Sequence, residues 1–170
     1  MNLHGLAAGE RDYTIQVGDG LQGVKDTLHI MSRLTREYKK SPRVITLARM
    51  LTARVMPKDW YGEIVALHQY VRDAIRYVQD VEGVETLATP DRTIEEQAGD
   101  CDDKSTLLSA LLGAIGHPSR FVAVGETAGT LTHVYVETKL GDGWLALETT
   151  ENVPPGWAPP NMANRYVVHN

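Results

Sequence analysis

From about Leu21 onwards the hydrophobic period of this chain changes once, at Gly116-His117-Pro118, and that change constrains its fold more than any other feature. Before it, apolar residues recur every three or four positions; after it, they alternate with polar ones. The spacing predicts a first helix from about Leu21 to Tyr38. Ser41-Pro42 supplies an N-cap and a proline at the first helical position of a second helix, whose apolar face is Val44, Ile45, Leu47, Ala48 and Leu51. Pro57-Lys58-Asp59 breaks it, and Asp59 is placed to cap a third helix carrying Ile64, Leu67, His68, Val71, Ile75 and Val78. Residues 80–100 read as irregular and polar, and a further helix runs from about Cys101 to Ile115 with a stripe of Leu107, Leu108, Leu111, Leu112 and Ile115. Beyond Pro118, Phe121–Val124, His133–Glu137 and Trp144–Glu148 read as strands, the last two joined through Asp142-Gly143, a hairpin-turn pair. Short strands are also read at Tyr13–Val17 and Tyr166–Val168, and the tail Val153–Pro160 is proline-rich and extended. Helices followed by an antiparallel sheet make an α+β fold, with N-terminal helices packed on a C-terminal antiparallel β-sheet.

At 170 residues the chain is long enough for one domain with a real core, read as residues 1–170. A net charge of −5 argues against nucleic acid as a partner. Basic residues do gather in the first half (Arg33, Arg36, Lys39, Lys40, Arg43, Arg49, Arg54, Lys58). They read as solvated helix faces, with docking to an acidic surface as the alternative. No basic region followed by a long apolar run opens the sequence and no stretch approaches a membrane span, so the expectation is a cytoplasmic protein with no membrane contact.

Cys101 is the single cysteine, in Gly99-Asp100-Cys101-Asp102-Asp103 at the start of the Leu-rich helix. A lone cysteine is most often a small buried hydrophobe. Here Gly and three Asp surround it, and a helix N-terminus offers unpaired N–H groups and the positive dipole end, both favouring a thiolate. Asp100 reads as the N-cap, with Asp102 and Asp103 in the first turn, where they also oppose ionisation of the thiol and could orient a substrate or Arg120. A cysteine nucleophile needs a base and a group to orient that base. In an antiparallel hairpin the start of one strand lies beside the end of the next, so His133 and Glu148 are expected side by side. The other readings are a His133 that packs or caps and a Glu148 that is a solvated strand end. His68 reads as a core histidine, Asp142 as a turn residue, His117 as a turn residue and Trp157 as a packed tail residue. No metal site is expected, because one cysteine and scattered histidines show no ligand spacing.

Four segments, in this order and spacing, resemble the transglutaminase-like superfamily of papain-type thiol enzymes. They are Gly99–Asp103 with the Leu-rich helix after it, Gly116-His117-Pro118-Ser119-Arg120, His133-Val134-Tyr135-Val136-Glu137 and Gly143–Thr149. Ala74-Ile75-Arg76-Tyr77 is similar to the family's helix ending in an aromatic. The resemblance covers about residues 60–150, leaving a helical N-terminal extension of about 1–59 and a tail of about 151–170. It implies Cys101 as nucleophile, His133 as general base and acid, and Glu148 as the orienting acid, with no cofactor. The family most often has Asp followed by Pro-Thr where this chain has Glu148-Thr149-Thr150; a glutamate can orient a histidine in the same way. The oxyanion donors expected are the Cys101 N–H and one of Gln97, Tyr77 or Trp60.

The expected activity is cleavage or transfer of a peptide or protein amide through a Cys101 thioester, with hydrolysis favoured. The alternative is a weakly active or inactive protein-binding module. Stand-alone domains with helical extensions also resemble proteins from bacterial and phage structural clusters, which implies an assembly partner and a virion-associated location as a further alternative.

Overall fold

The computed structural model describes residues 12–14, 20–79 and 86–170. The elements are β1 (Asp12–Thr14), α1 (Gly20–Tyr38), α2 (Pro42–Thr52), α3 (Trp60–Ala74), β2 (Arg76–Tyr77), β3 (Thr86–Ala88), α4 (Pro90–Glu96), β4 (Ala98–Gly99), α5 (Cys101–Ala114), β5 (Ser119–Gly125), β6 (His133–Leu140), β7 (Gly143–Leu147) and β8 (Asn164–His169). The caps fall where the sequence placed them. The Ser41 hydroxyl accepts from Arg43 N–H, Asp59 from Gly62 N–H, and Asp100 from Asp102 N–H and Asp103 N–H.

Helix α5 is the central element. It packs against α1, α2, α3 and α4 on its sides and against β5 and β6 of the sheet. Burial on all sides explains why its residues from Asp103 to Leu112 are all removed from solvent. Its buried hydroxyls find acceptors: Ser105 Oγ donates to Val134 O at 3.3 Å and Thr106 Oγ1 to Asp102 O at 2.7 Å. The sheet order is β7-β6-β5-β8, antiparallel throughout. Strand period divides its side chains: Phe121, Ala123, Val134, Val136 and Leu147 join the helical core. Val122, Val124, Tyr135 and Ala146 form a second cluster, covered by Ala158 and Met162 of the tail. The tail therefore packs on the sheet, tied by Gly156 N–H to Ala146 O at 2.8 Å, and Trp157 is half-buried within it.

The turn between β6 and β7 contains Asp142, as expected, and places Gly141 at φ +58°, a conformation that suits glycine.

Three expectations are corrected. The third helix stops at Ala74, so Val78 is not on its apolar face and is exposed. There Arg76 N–H turns to Gln97 O and Val78 N–H to Gly99 O, and tertiary pairing replaces the helical bond. Arg76-Tyr77 is consequently a strand, parallel to β4, and the helix does not end in an aromatic. The stretch 80–100 is not irregular over its described part: 86–88 pairs with β1, and Thr89-Pro90 caps and starts α4 by the same chemistry as Ser41-Pro42. Of the strand read at Tyr13–Val17, the structure shows Asp12–Thr14, while 15–17 lie outside the described residues.

Candidate active site

Strand β4 delivers the chain to Cys101. Gly99 is needed at this entry because a Cβ there would lie 2.6 Å from Asp103 Cβ. Asp100 then caps α5, with its Oδ1 accepting from Asp102 N–H at 2.9 Å and from Asp103 N–H at 3.0 Å. Asp103 Oδ1 in turn accepts from Ala88 N–H at 2.8 Å, which fixes β3 against the helix start.

Cys101 is half-buried at the first position of α5. Burial pushes its thiol far above the ordinary range, and the charges of Asp102 and Asp100 push it further. A contact with the Val134 backbone works the other way without overcoming them. The thiol donates to Asp102 Oδ1 at 3.5 Å, a contact that favours its protonated form. These effects oppose the thiolate that the helix N-terminus favours, in the direction expected of the flanking carboxylates. The N–H groups that would favour an anion are engaged by Asp100, whose own charge sits in their place.

His133 opens β6 and Glu148 follows β7 directly, and the hairpin brings them together as expected: His133 Nε2–H donates to Glu148 Oε2 at 2.6 Å. The His133 side chain is a quarter exposed, whereas that of Glu148 is buried. Burial works to raise the Glu148 carboxyl. The bond and charge of His133, with the N–H and hydroxyl of Thr150, outweigh it and hold the carboxyl below its usual range. Thr150 N–H and Oγ1 reach Glu148 Oε1 at 2.7 and 2.8 Å. The α5 start meets this pair through the Val134 backbone, adjacent to His133 in the chain and in contact with the Cys101 thiol. With Nε2 committed to Glu148, Nδ1 is the His133 nitrogen left for proton exchange.

Two of the three second-donor candidates stay near Cys101. Tyr77 is the register partner of Gly99, and Gln97 immediately precedes β4, with its side chain bonded to the Tyr70 hydroxyl. Trp60 does not. The α3 start is joined to the C-terminal end of α5 by His117 and Glu63 at 2.7 Å, and α5 is about 20 Å long. Arg120 also belongs elsewhere: its Nε donates to Glu137 Oε2 at 2.7 Å and its guanidinium stacks on Trp144 at 4.1 Å, so Asp102 and Asp103 do not orient it. His68 is fully buried, as read from its helix face, but its Nε2 reaches the Glu148 carbonyl at 2.5 Å, a link the helical period could not show. Among the described residues no group of three or more His, Cys, Asp or Glu side chains could hold a metal ion, and no helix is long and apolar enough to cross a membrane.

The family model described as transglutaminase-like superfamily matches residues 45–149. The chain belongs to the transglutaminase-like superfamily. Among solved structures, this transglutaminase-like chain is similar to a candidate cysteine protease from Cytophaga hutchinsonii, at 20% identity and a TM-score of 0.53, over 78% of this chain and 48% of that one. It is also similar to a candidate protease from Parabacteroides distasonis, at 15% identity and a TM-score of 0.54, over 75% of this chain and 27% of that one. At these identities the likeness is one of fold, and the chain spans less than half the length of either protein. No curated protein matches the sequence.

Proposed function

We propose that this transglutaminase-like domain is a thiol hydrolase of peptide or amide bonds, working through an acyl-enzyme on Cys101. The observation that carries the reading is the His133–Glu148 pair at 2.6 Å, joined to the Cys101 thiol through the Val134 backbone. In the proposed cycle, His133 Nδ1 takes the thiol proton as sulfur attacks the carbonyl carbon, because the thiolate is the attacking form. The Cys101 N–H at the first position of α5 faces the developing oxyanion. The C–N bond then breaks and the leaving amine takes the proton from Nδ1, which leaves a thioester. Water adds with its proton passing to Nδ1, the C–S bond breaks and the thiol is restored. Glu148 holds His133 in the required tautomer and stabilises its cation.

The high-lying thiol favours a second reading, a binding module that retains the fold with little turnover. Incubation with p-nitrophenyl acetate, followed by intact-mass analysis, separates the two. The enzyme reading expects an acetyl adduct on the native protein that forms and then clears, is absent in Cys101→Ala, and forms far more slowly in His133→Ala. Adduct formation at the same rate in His133→Ala, or no faster on native than on unfolded protein, points to the module.

A further inference from the structure

Among the described residues six large apolar side chains are exposed, and two of them, Tyr77 and Val78, adjoin the strand that leads to Cys101. The other four lie between residues 50 and 61, on the end of α2, the turn after it and the start of α3. Met50 is 68% exposed, Met56 72%, Trp60 59% and Tyr61 49%. Single exposed apolar residues need no explanation, but a cluster marks an interaction surface. The helical period shows why Met50 faces outward. Val44 and Ala48 bury one side of α2, while Arg43, Thr46, Arg49, Met50 and Ala53 recur at three- or four-residue steps on the other. The turn from Met56 to Asp59, closed by Asp59 N–H to Met56 O at 3.1 Å, then leaves Met56, Pro57 and Lys58 in solvent.

The same surface is basic. From Lys39 to Lys58 the sequence holds six cations and no carboxylate, in a chain of net charge −5. Arg49, Arg54 and Lys58 are exposed and make no ion pair among the described residues, whereas Arg43, Arg72, Arg92, Arg120 and Arg165 each hold a carboxylate. The C-terminal dipole of α2 accounts for Arg49 on its last turn. Lys58 lies beyond that turn, at φ +68°, a backbone position that glycine would hold with less strain.

We propose that this surface docks an acidic segment of a partner protein that also carries apolar side chains. The proposal goes beyond the hydrolase reading and stands without it, because the start of α3 lies at the end of α5 away from Cys101. Charge complementarity selects the partner: a chain of net charge −5 repels an acidic segment elsewhere and attracts it to this one basic stretch. Met, Trp, Tyr and Arg are the types enriched in protein interfaces, where methionine adapts to the shape it meets and the arginine fork pairs with carboxylates. A second copy seated face to face on the same surface would set cations against cations. A lipid surface fits less well. Asp59 is exposed between Lys58 and Trp60 and is fixed there by accepting from Gly62 N–H at 2.9 Å. Inserting Met56 and Trp60 into lipid would carry that carboxylate with them, whereas a protein partner leaves it at a wet rim.

The test selects peptides on the full chain from a display library built of Asp, Glu, Leu, Phe and Trp, beside a library with Lys and Arg in place of the acids. Fluorescence anisotropy of the selected peptides then measures affinity. Peptides are expected from the acidic library alone, binding more weakly as salt is raised. Affinity is expected to fall about tenfold or more in Arg54→Glu with Lys58→Glu, and likewise in Met56→Ser with Trp60→Ser. All four side chains are exposed, and circular dichroism checks that each double variant is folded. Arg76→Glu, an exposed cation beyond the other end of α3, is expected to leave the affinity unchanged. No enrichment from the acidic library, or equal affinity in both folded double variants, would overturn the proposal. Sedimentation with vesicles of phosphatidylcholine and phosphatidylglycerol that these variants abolish, without peptide binding, would overturn it in favour of lipid. A concentration-dependent dimer that they abolish, again without peptide binding, would overturn it in favour of a second copy.

Discussion

At the scale of single residues, Cys101 balances two opposed influences. The helix start favours an anion, while burial and the carboxylates of Asp102 and Asp100 disfavour one, and the second set wins. Asp100→Asn separates the cap from the charge, since asparagine caps a helix as well as aspartate does. Iodoacetamide labelling of Cys101 at neutral pH is expected to accelerate in that variant, on the order of tenfold for each pH unit that the thiol falls. An unchanged rate would mean that Asp100 acts only as a cap. His133 and Glu148 were legible because both sit at ends of a hairpin whose register follows from its turn. Glu148-Thr149-Thr150 departs from the commoner family pattern, and the departure has a structural use. Thr150 satisfies the carboxylate oxygen that His133 does not.

At the scale of elements, the start of α5 is the joint on which the site depends. The turn from β4 into α5 brings the Gly99 backbone against the Asp103 Cβ, and Asp103 also anchors Ala88 of β3. Gly99→Ala therefore has to move either the helix start or its cap. We expect a loss of about 1–3 kcal/mol, the usual cost of overpacking, in chemical denaturation. Loss of the acetyl adduct on Cys101 should accompany it even where the variant remains folded. Elements governed by local chemistry were readable: α2, α3 and α5 begin at their capping residues. The break at Ala74 was not, because Ile75, Arg76 and Val78 continue a helical pattern. Only the pairing of β2 with β4, 21 residues later in the Tyr77–Ala98 step, draws the backbone away from it. The Thr89-Pro90 start of α4 was present in the sequence but obscured by the polar residues around it.

At the scale of the whole molecule, the buried ionisable groups make stability depend on pH in both directions. Burial lowers Lys104 to about 8 even against the pull of Glu148 and Asp73. Between that value and the lysine value of about 10.4 in the unfolded chain, the unfolded state binds more protons, so stability rises with pH. The raised Cys101 thiol acts oppositely, because the unfolded thiol ionises near pH 8.5 while the folded one stays protonated. In Cys101→Ser only the first effect remains. Its unfolding free energy is expected to increase from pH 8 to pH 9.5 by on the order of 1 kcal/mol, and to increase less in the Cys101→Ser, Lys104→Gln double variant. A decrease in the single variant over that range would contradict the burial of a charged Lys104. On the acid side the sign is that of a depressed carboxyl. The contribution of Glu148 is present above its ordinary value and is lost as pH falls through its folded one.

The sequence by itself determined the order of the layers, the caps, the hairpin and the pairing of His133 with Glu148, since each depends on period, on turn chemistry or on neighbours close in the chain. Tertiary structure alone decided the burial of the thiol, the separation of Trp60 from the site, and the reach of His68 to the Glu148 carbonyl. These are matters of desolvation and of contacts between residues 40 to 80 positions apart. A histidine on an apolar face identifies itself as a buried group, but what it is buried against is set by the packing of α3 on α5 and of α5 on the sheet.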